Sequence, residues 1–223
     1  MASSPDSSSK LTPFQREVLE AFFAHEQGFF LTGGAALAGY HLGHRHTNDL
    51  DLFTLEDSAF ERARHVTGEL AAALGTTLEI AQDAPGFRRL VLTRGADVLV
   101  VDLVRERTFQ LHPDKTTIDK VRVDPPDEIL ANKLTAIAGR TEERDLVDVL
   151  FLERAGYRVE DALPAAARKD GGCTPATLSW LLSEIQITDD AKLPAGVSPA
   201  ELRAWLTELI KRLRRAAVPT AQR

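Results

Sequence analysis

Two aspartates separated by one leucine, Asp49-Leu50-Asp51, are the residues of this chain best suited by type and spacing to do chemistry. On a β-strand alternate side chains share a face, so both carboxylates project one way while Leu50 and Leu52 point into a core. Paired carboxylates suit a hard cation such as Mg²⁺, which takes oxygen ligands and leaves room for waters or substrate phosphates. Asp102 is a natural third carboxylate; the alternative is an edge strand on which Asp49 and Asp51 are solvated and Asp102 marks a strand end. It interrupts the apolar run Val98 to Val104, where a lone charge is costly unless it is paired or bound to a metal. Gly33-Gly34 is expected between a strand and a helix, either as an ordinary tight turn or as a place where glycine lets the backbone approach a phosphate and helix-terminal amides face the anion.

These residues need a sheet to hold them. Thr12-Pro13 is a helix start, with a side-chain oxygen to cap free amides and a proline where no amide partner is needed, and the helix runs to about His25. Phe29 to Thr32 reads as a short strand ending in the glycine pair, and Ala35 to Leu42 as a small-residue helix. Leu50 to Phe53 is a second strand, and Ser58 to Leu74 an amphipathic helix closed by Gly75. Thr77 to Ala81, Arg89 to Thr93 and Val98 to Val104 are strand-like, the last two joined as a hairpin by Arg94-Gly95-Ala96-Asp97. After the break at Asp124-Pro125-Pro126 the pattern turns helical, at about 127 to 138, 143 to 155, 159 to 168, 175 to 185 and 199 to 216. The expected organisation is a tail over 1–10, an α/β domain over 11–124 and a helical domain over 125–223, with no internal repeat.

The chain of 223 residues, 43% of them hydrophobic, is long enough for a substantial core. Its single cysteine, Cys173, cannot form an intramolecular disulfide and matches no zinc spacing, which fits a reducing, cytoplasmic setting. No signal-peptide pattern and no bilayer-length apolar run are apparent, so no membrane association is expected. The Ser-rich opening stretch has too little apolar surface to offset its ordering entropy. A formal net charge of −6 argues against coating nucleic acid by charge alone. Arg88 and Arg89, Arg105 and Arg107, and Lys211, Arg212, Arg214 and Arg215 could still form a local basic groove or simply solvated faces. His41, His44 and His46 cluster near the aspartates, but with no further ligand in view a polar loop or substrate contact is favoured over zinc.

In the helical part, Lys133 sits amid Leu130, Leu134 and Ile137 on one expected helix, where it either snorkels or serves a site. Asp145 and Asp148, three residues apart, share a helical face beside Arg144, as a solvated charged face or as functional carboxylates.

The order of these motifs is more specific than any one of them. Leu31-Thr32-Gly33-Gly34, a short helix, Arg45-His46-Thr47-Asn48-Asp49-Leu50-Asp51-Leu52 and then Asp102 resemble the nucleotidyltransferase superfamily that includes DNA polymerase β. Ile129-Leu130-Ala131-Asn132-Lys133-Leu134 followed by Arg144-Asp145-Leu146-Val147-Asp148 looks like the AbiEii/AbiGii toxin family, the group that includes the MenT toxins. The resemblance spans roughly residues 29 to 155. It implies an α/β nucleotidyltransferase fold, a small mixed sheet flanked by helices, followed by a C-terminal helical bundle. It further implies that Gly33 and Gly34 hold nucleotide phosphates with Thr47 nearby, that Asp49 and Asp51, with Asp102, hold Mg²⁺ or Mn²⁺, and that Lys133 contacts the triphosphate. Asp145 would act near the attacking hydroxyl as base or orienting group, with Arg45, Arg144 and Asp148 in support. Many relatives have serine where Thr47 stands.

The reaction so implied moves a nucleoside monophosphate from a nucleoside triphosphate to the 3′ end of a tRNA, as the toxin of a toxin–antitoxin pair with an antitoxin protein as partner; DNA is not expected to bind. A small-molecule acceptor, as for antibiotic adenylyltransferases, and a catalytically silent nucleotide- or RNA-binding module are the alternatives.

Overall fold

The computed structural model describes residues 9–140 and 142–218. Most of the expected tail lies outside the described residues. Its last residue, Lys10, belongs to the fold: its N–H donates to the Ala38 carbonyl at 3.0 Å, and His46 Nδ1 lies 3.0 Å from its own carbonyl.

By contact the chain divides into two compact units. One runs to Thr108 and includes His112–Pro125; the other comprises Phe109–Leu111 and the residues from Pro126 onward. The first unit contains α1 (Pro13–His25), β1 (Phe29–Thr32), α2 (Gly33–Ala36), a π-helical turn (Leu37–His41), β2 (Asp49–Thr54) and α3 (Asp57–Ala73). Then follow β3 (Thr77–Ala84), β4 (Phe87–Arg94), β5 (Asp97–Arg105), β6 (Thr116–Ile118) and β7 (Val121–Val123).

All seven strands form one mixed sheet in the order β3-β4-β5-β2-β1-β7-β6. β2 runs parallel to β5 and β1 parallel to β7; the other neighbours are antiparallel. The central position of β2 follows from its sequence. Leu50 and Leu52 are fully buried while Asp49, Asp51 and Phe53 are half-buried, the alternation expected of a strand with one covered face. The helices α1 and α3 touch each other, with α3 against β2, β3 and β5. They bury Val18, Leu19, Phe22 and Phe23 from α1 and Phe60, Ala63 and Leu70 from α3, on helical spacing.

α1 begins as its sequence dictates. Thr12 Oγ1 accepts from the Gln15 N–H at 3.1 Å, and Gln15 Oε1 accepts from the Thr12 N–H at 2.8 Å, a reciprocal capping box. Gln15 Nε2 also donates to the Thr47 carbonyl at 2.9 Å, so the cap fixes the approach to β2.

The structure departs from the expected elements in two places. The helix expected over Ala35 to Leu42 begins at Gly33 itself and opens into a π turn from Leu37, with the Leu42 N–H donating to the Leu37 carbonyl at 2.8 Å. Apolar periodicity does not distinguish this wider turn from an α-helical one. The hairpin β6–β7 is the second, with strands of three residues each. Its turn residues Asp119 and Lys120 take φ of 47° and 70°, left-handed values without the glycine that marks such a turn in a sequence.

The helical unit contains α4 (Pro126–Gly139), α5 (Glu143–Arg154), α6 (Val159–Lys169), α7 (Pro175–Ser183), a 3₁₀ turn (Pro194–Gly196) and α8 (Pro199–Ala216). Helix α4 packs on α5, α6 and α7, and α8 on α7 and α5, around Ile129, Leu134, Leu146, Leu178, Leu202 and Leu209. Thr174 and Ser198 cap α7 and α8, each followed by proline. The segment Phe109–Leu111 is fastened to this unit by Lys169, whose Nζ donates to the Phe109 carbonyl at 2.8 Å and lies 2.5 Å from buried Glu128. No helix among the described residues is long and apolar enough to cross a membrane.

Candidate active site

The strand register sets the candidate site in a row. Arg89 of β4 lies opposite Asp102 of β5, Asp102 beside Asp51 of β2, and Asp51 opposite Thr32 of β1. Residues paired across a sheet share a face, so a cation, two carboxylates and a hydroxyl stand side by side across four strands. Asp49, two residues before Asp51, joins them on the same face. Its Oδ1 accepts from Thr47 Oγ1 at 2.8 Å, which orients the carboxylate at the entrance to the strand.

The glycine pair closes onto this row. Gly33 has φ of +64°, and a Cβ there would overlap the Asp51 carboxylate. A Cβ on Gly34 would lie 2.6 Å from Arg45 Nη2. Glycine is therefore required at both positions for a carboxylate and a guanidinium to come against the backbone. Arg45 is buried and donates from Nη1 to the His46 carbonyl at 3.0 Å.

Behind the glycines stands a group absent from the sequence expectations. Asp124 is fully buried; its Oδ2 accepts from Thr32 Oγ1 at 2.6 Å, its N–H donates to the Leu31 carbonyl at 2.9 Å, and Lys115 Nζ lies 2.7 Å from Oδ1. His41 Nε2 donates to the Asp124 carbonyl at 2.7 Å. Burial pushes the His41 imidazole below its ordinary value, only partly offset by that hydrogen bond, so it is neutral at pH 7. Asp124 thus ties β1, β7 and the π turn together next to Gly33. In the sequence it reads only as a polar break before two prolines.

The donor set suits a hard cation in type, since Asp49, Asp51 and Asp102 offer oxygens alone. In arrangement the fit is by the pair Asp49 and Asp51. Among the described residues no three His, Cys, Asp or Glu side chains are grouped as a ready metal site. Asp102 is held by Arg89, whose Nε donates to Oδ1 at 2.8 Å and Nη2 to Oδ2 at 2.7 Å. Two carboxylates and substrate phosphates suffice for Mg²⁺. In the sequence Arg89 reads only as a groove candidate, yet the expected hairpin contains the signal. Counting five residues back from Arg94 and five on from Asp97 brings Arg89 opposite Asp102.

In the helical unit, Lys133 is buried. Its Nζ lies 2.6 Å from Asp145 Oδ1 and 2.8 Å from Asp148 Oδ2. It therefore does not snorkel, and the two aspartates are buried, not solvated. Burial alone would lower the Lys133 pKa, but Asp148 and Asp145 together raise it above the ordinary value, so the ammonium stays charged. Asp145 Oδ2 is buried without a hydrogen-bond partner among the described residues. Arg144 is exposed and lies 2.5 Å from Glu142.

Most of the suspected basic groove is internally paired. Arg88 lies 3.2 Å from Asp83, Arg105 and Arg107 lie 3.3 and 3.0 Å from Asp57, Lys211 2.7 Å from Glu208, and Arg212 2.7 Å from Glu153. Cys173 is buried, and burial raises its thiol to about 11, so it is no activated nucleophile.

Comparisons with known proteins give the family and the fold. Residues 17–220 match the family described as nucleotidyl transferase AbiEii toxin, type IV TA system. The chain is similar to JHP933 from Helicobacter pylori, at 22% identity and a TM-score of 0.57 over 90% of each chain. It is also similar to an H. pylori protein proposed to be a nucleotidyltransferase, at 20% identity and a TM-score of 0.57 over 92% of this chain and 95% of that one. At such identities the two structures establish the fold, an α/β nucleotidyltransferase fold with C-terminal helices. No curated protein matches. The family match takes in the glycine pair, the aspartate strand and the Lys133 cluster, and the chain belongs to the AbiEii nucleotidyl transferase toxin family of type IV toxin–antitoxin systems.

Proposed function

We propose that this nucleotidyltransferase transfers a nucleoside monophosphate from a nucleoside triphosphate to the 3′ end of a tRNA. The observation that carries the reading is the half-buried pair Asp49 and Asp51 on one face of β2, with Gly33 leaving no side chain in front of Asp51. In the reaction an oxygen of the acceptor hydroxyl bonds to the α-phosphorus, the bond from that phosphorus to the bridging oxygen breaks, and pyrophosphate leaves with the electron pair. Mg²⁺ or Mn²⁺, when bound, neutralises phosphate charge and favours ionisation of the hydroxyl.

Asp49 and Asp51 hold that cation, and Thr47 keeps Asp49 oriented through its hydroxyl. Asp102 completes the carboxylate set. Gly33 and Gly34 hold the phosphates, with Arg45 beside Gly34 as a positive charge. Lys133 and Asp145 are assigned to the triphosphate and to the hydroxyl proton, with Arg144 and Asp148 in support, by family resemblance. The free acceptor capacity of Asp145 Oδ2 supports the second assignment. The tRNA acceptor, a cytoplasmic site of action and a cognate antitoxin protein also rest on the family. Extension of the 3′ end blocks aminoacylation, which accounts for toxicity.

The test incubates purified protein with Mg²⁺ and each α-labelled nucleoside triphosphate, with and without total RNA. Label at tRNA 3′ ends is the expected result. Label transferred without RNA to a small molecule would overturn the acceptor, and no transfer to any acceptor would reduce the chain to a silent nucleotide- or RNA-binding module.

A further inference from the structure

The row of charges contains one more working part. Both oxygens of Asp102 are occupied by one guanidinium, through Arg89 Nε and Nη2 at 2.8 and 2.7 Å. The two partners differ in freedom: the Arg89 side chain is 47% exposed and that of Asp102 only 10%. The carboxylate is fixed in the sheet while the guanidinium can swing into solvent. Asp102 is also the direct neighbour of Asp51 across the parallel pair β2–β5. A largely buried carboxylate beside a second carboxylate needs a compensating positive charge. A divalent cation on the row would supply the same compensation, and at Asp102 it would meet the guanidinium as a like charge held on the same two oxygens.

We propose that Arg89 is a positioning residue that competes with the divalent cation for Asp102, so that cation binding weakens the Arg89–Asp102 pair. The inference rests on the assignment of Asp49 and Asp51 as cation ligands. The ring of Phe87 lies 5.7 Å from the guanidinium carbon and offers a surface beside it. Cation binding sets a metal contact against one charge-assisted bidentate pair. The apparent affinity for the cation is thereby lowered by the worth of that pair, about tenfold on the usual scale of charged hydrogen bonds.

The experiment titrates the full chain with Mn²⁺ in the absence of nucleotide and follows free Mn²⁺ by its EPR signal. Arg89→Gln is expected to bind about tenfold more tightly than the unmodified chain, and the gain is expected to vanish in Arg89→Gln/Asp102→Asn. An Arg89→Gln chain that binds no more tightly, or a gain that survives Asp102→Asn, overturns the proposal. Should Arg89→Gln fail to fold, Arg89→Lys keeps the charge but loses the two-pronged grip, and about threefold tighter binding is expected; unchanged binding overturns the proposal equally. Asp49→Ala separates the two levels of the argument. Unchanged Mn²⁺ binding in Asp49→Ala removes the underlying cation site, whereas loss of binding there, with no gain in Arg89→Gln, removes the competition alone.

Discussion

Arg89 and Lys133 are both cations gripped by aspartates, but the first has a side chain 47% exposed and the second 11%. Arg89 stands on a strand at the open face of the sheet, where its pair with Asp102 is part of a row that includes Asp51. Lys133 joins α4 to α5 through two aspartates inside a helical core. An ion pair with one partner in water can be exchanged when a second cation takes over the compensation of the buried partner, because solvent receives the released charge; a pair with both partners buried strands a charge on either side when it opens. The strand row is therefore suited to trade partners, while Lys133 and its two aspartates are held in one fixed arrangement.

The comparison is broken most severely at Lys133. Lys133→Met leaves two buried aspartates without their cation and is expected to cost about 3–5 kcal/mol in urea unfolding, whereas Asp102→Asn should cost about 1 kcal/mol or less. Similar losses at the two positions would erase the distinction between them. The raised Lys133 pKa gives a second readout. Because the folded protein holds this proton more tightly than the unfolded chain, the stabilisation is complete below the ordinary lysine value and is lost as pH rises above it through the folded value. Lys133→Met should remove that alkaline fall in stability.

Next in size is Gly33→Ala. A φ of +64° disfavours a Cβ by about 1–2 kcal/mol, and the added methyl also displaces the Asp51 carboxylate. Turnover should fall far more than the melting temperature. Parallel loss of both would make Gly33 a turn residue only.

The smallest expected effect lies at His41. Its lowered pKa means that the unfolded chain takes up a proton more readily than the folded one, so stability present above the ordinary histidine value is lost as pH falls through the folded value. His41→Gln should flatten the stability profile between pH 7 and 5. A profile unchanged by the substitution would show that the Asp124 carbonyl contact carries no proton linkage.

How far these features could be read in advance depended on their range in sequence. The alternation of β2, with Leu50 and Leu52 inside and the aspartates outside, is a local pattern, and so are the Thr12 cap and the starts of α7 and α8. Five of the seven strands were legible for the same reason. The hairpin β6–β7 was not, because its strands are three residues long and its left-handed turn uses aspartate and lysine. The π turn after Ala36 is a matter of hydrogen-bond register that composition does not record. In the candidate site, Asp49, Asp51 and Gly33 announced themselves by spacing. The partners of Asp102, Lys133 and Asp124 did not, since each pairing joins residues brought together by the fold. Of these, only Arg89 with Asp102 could have been counted out from a recognisable hairpin turn.

The most direct test of the central claim, that the strand aspartates carry nucleotidyl transfer, is the turnover of Asp49→Ala against the unmodified chain, with thermal unfolding measured on the same samples. The account predicts at least about a thousandfold loss of transfer with an unchanged melting temperature, since Asp49 is half-buried at the first position of its strand. Retained turnover in a folded Asp49→Ala protein would contradict it.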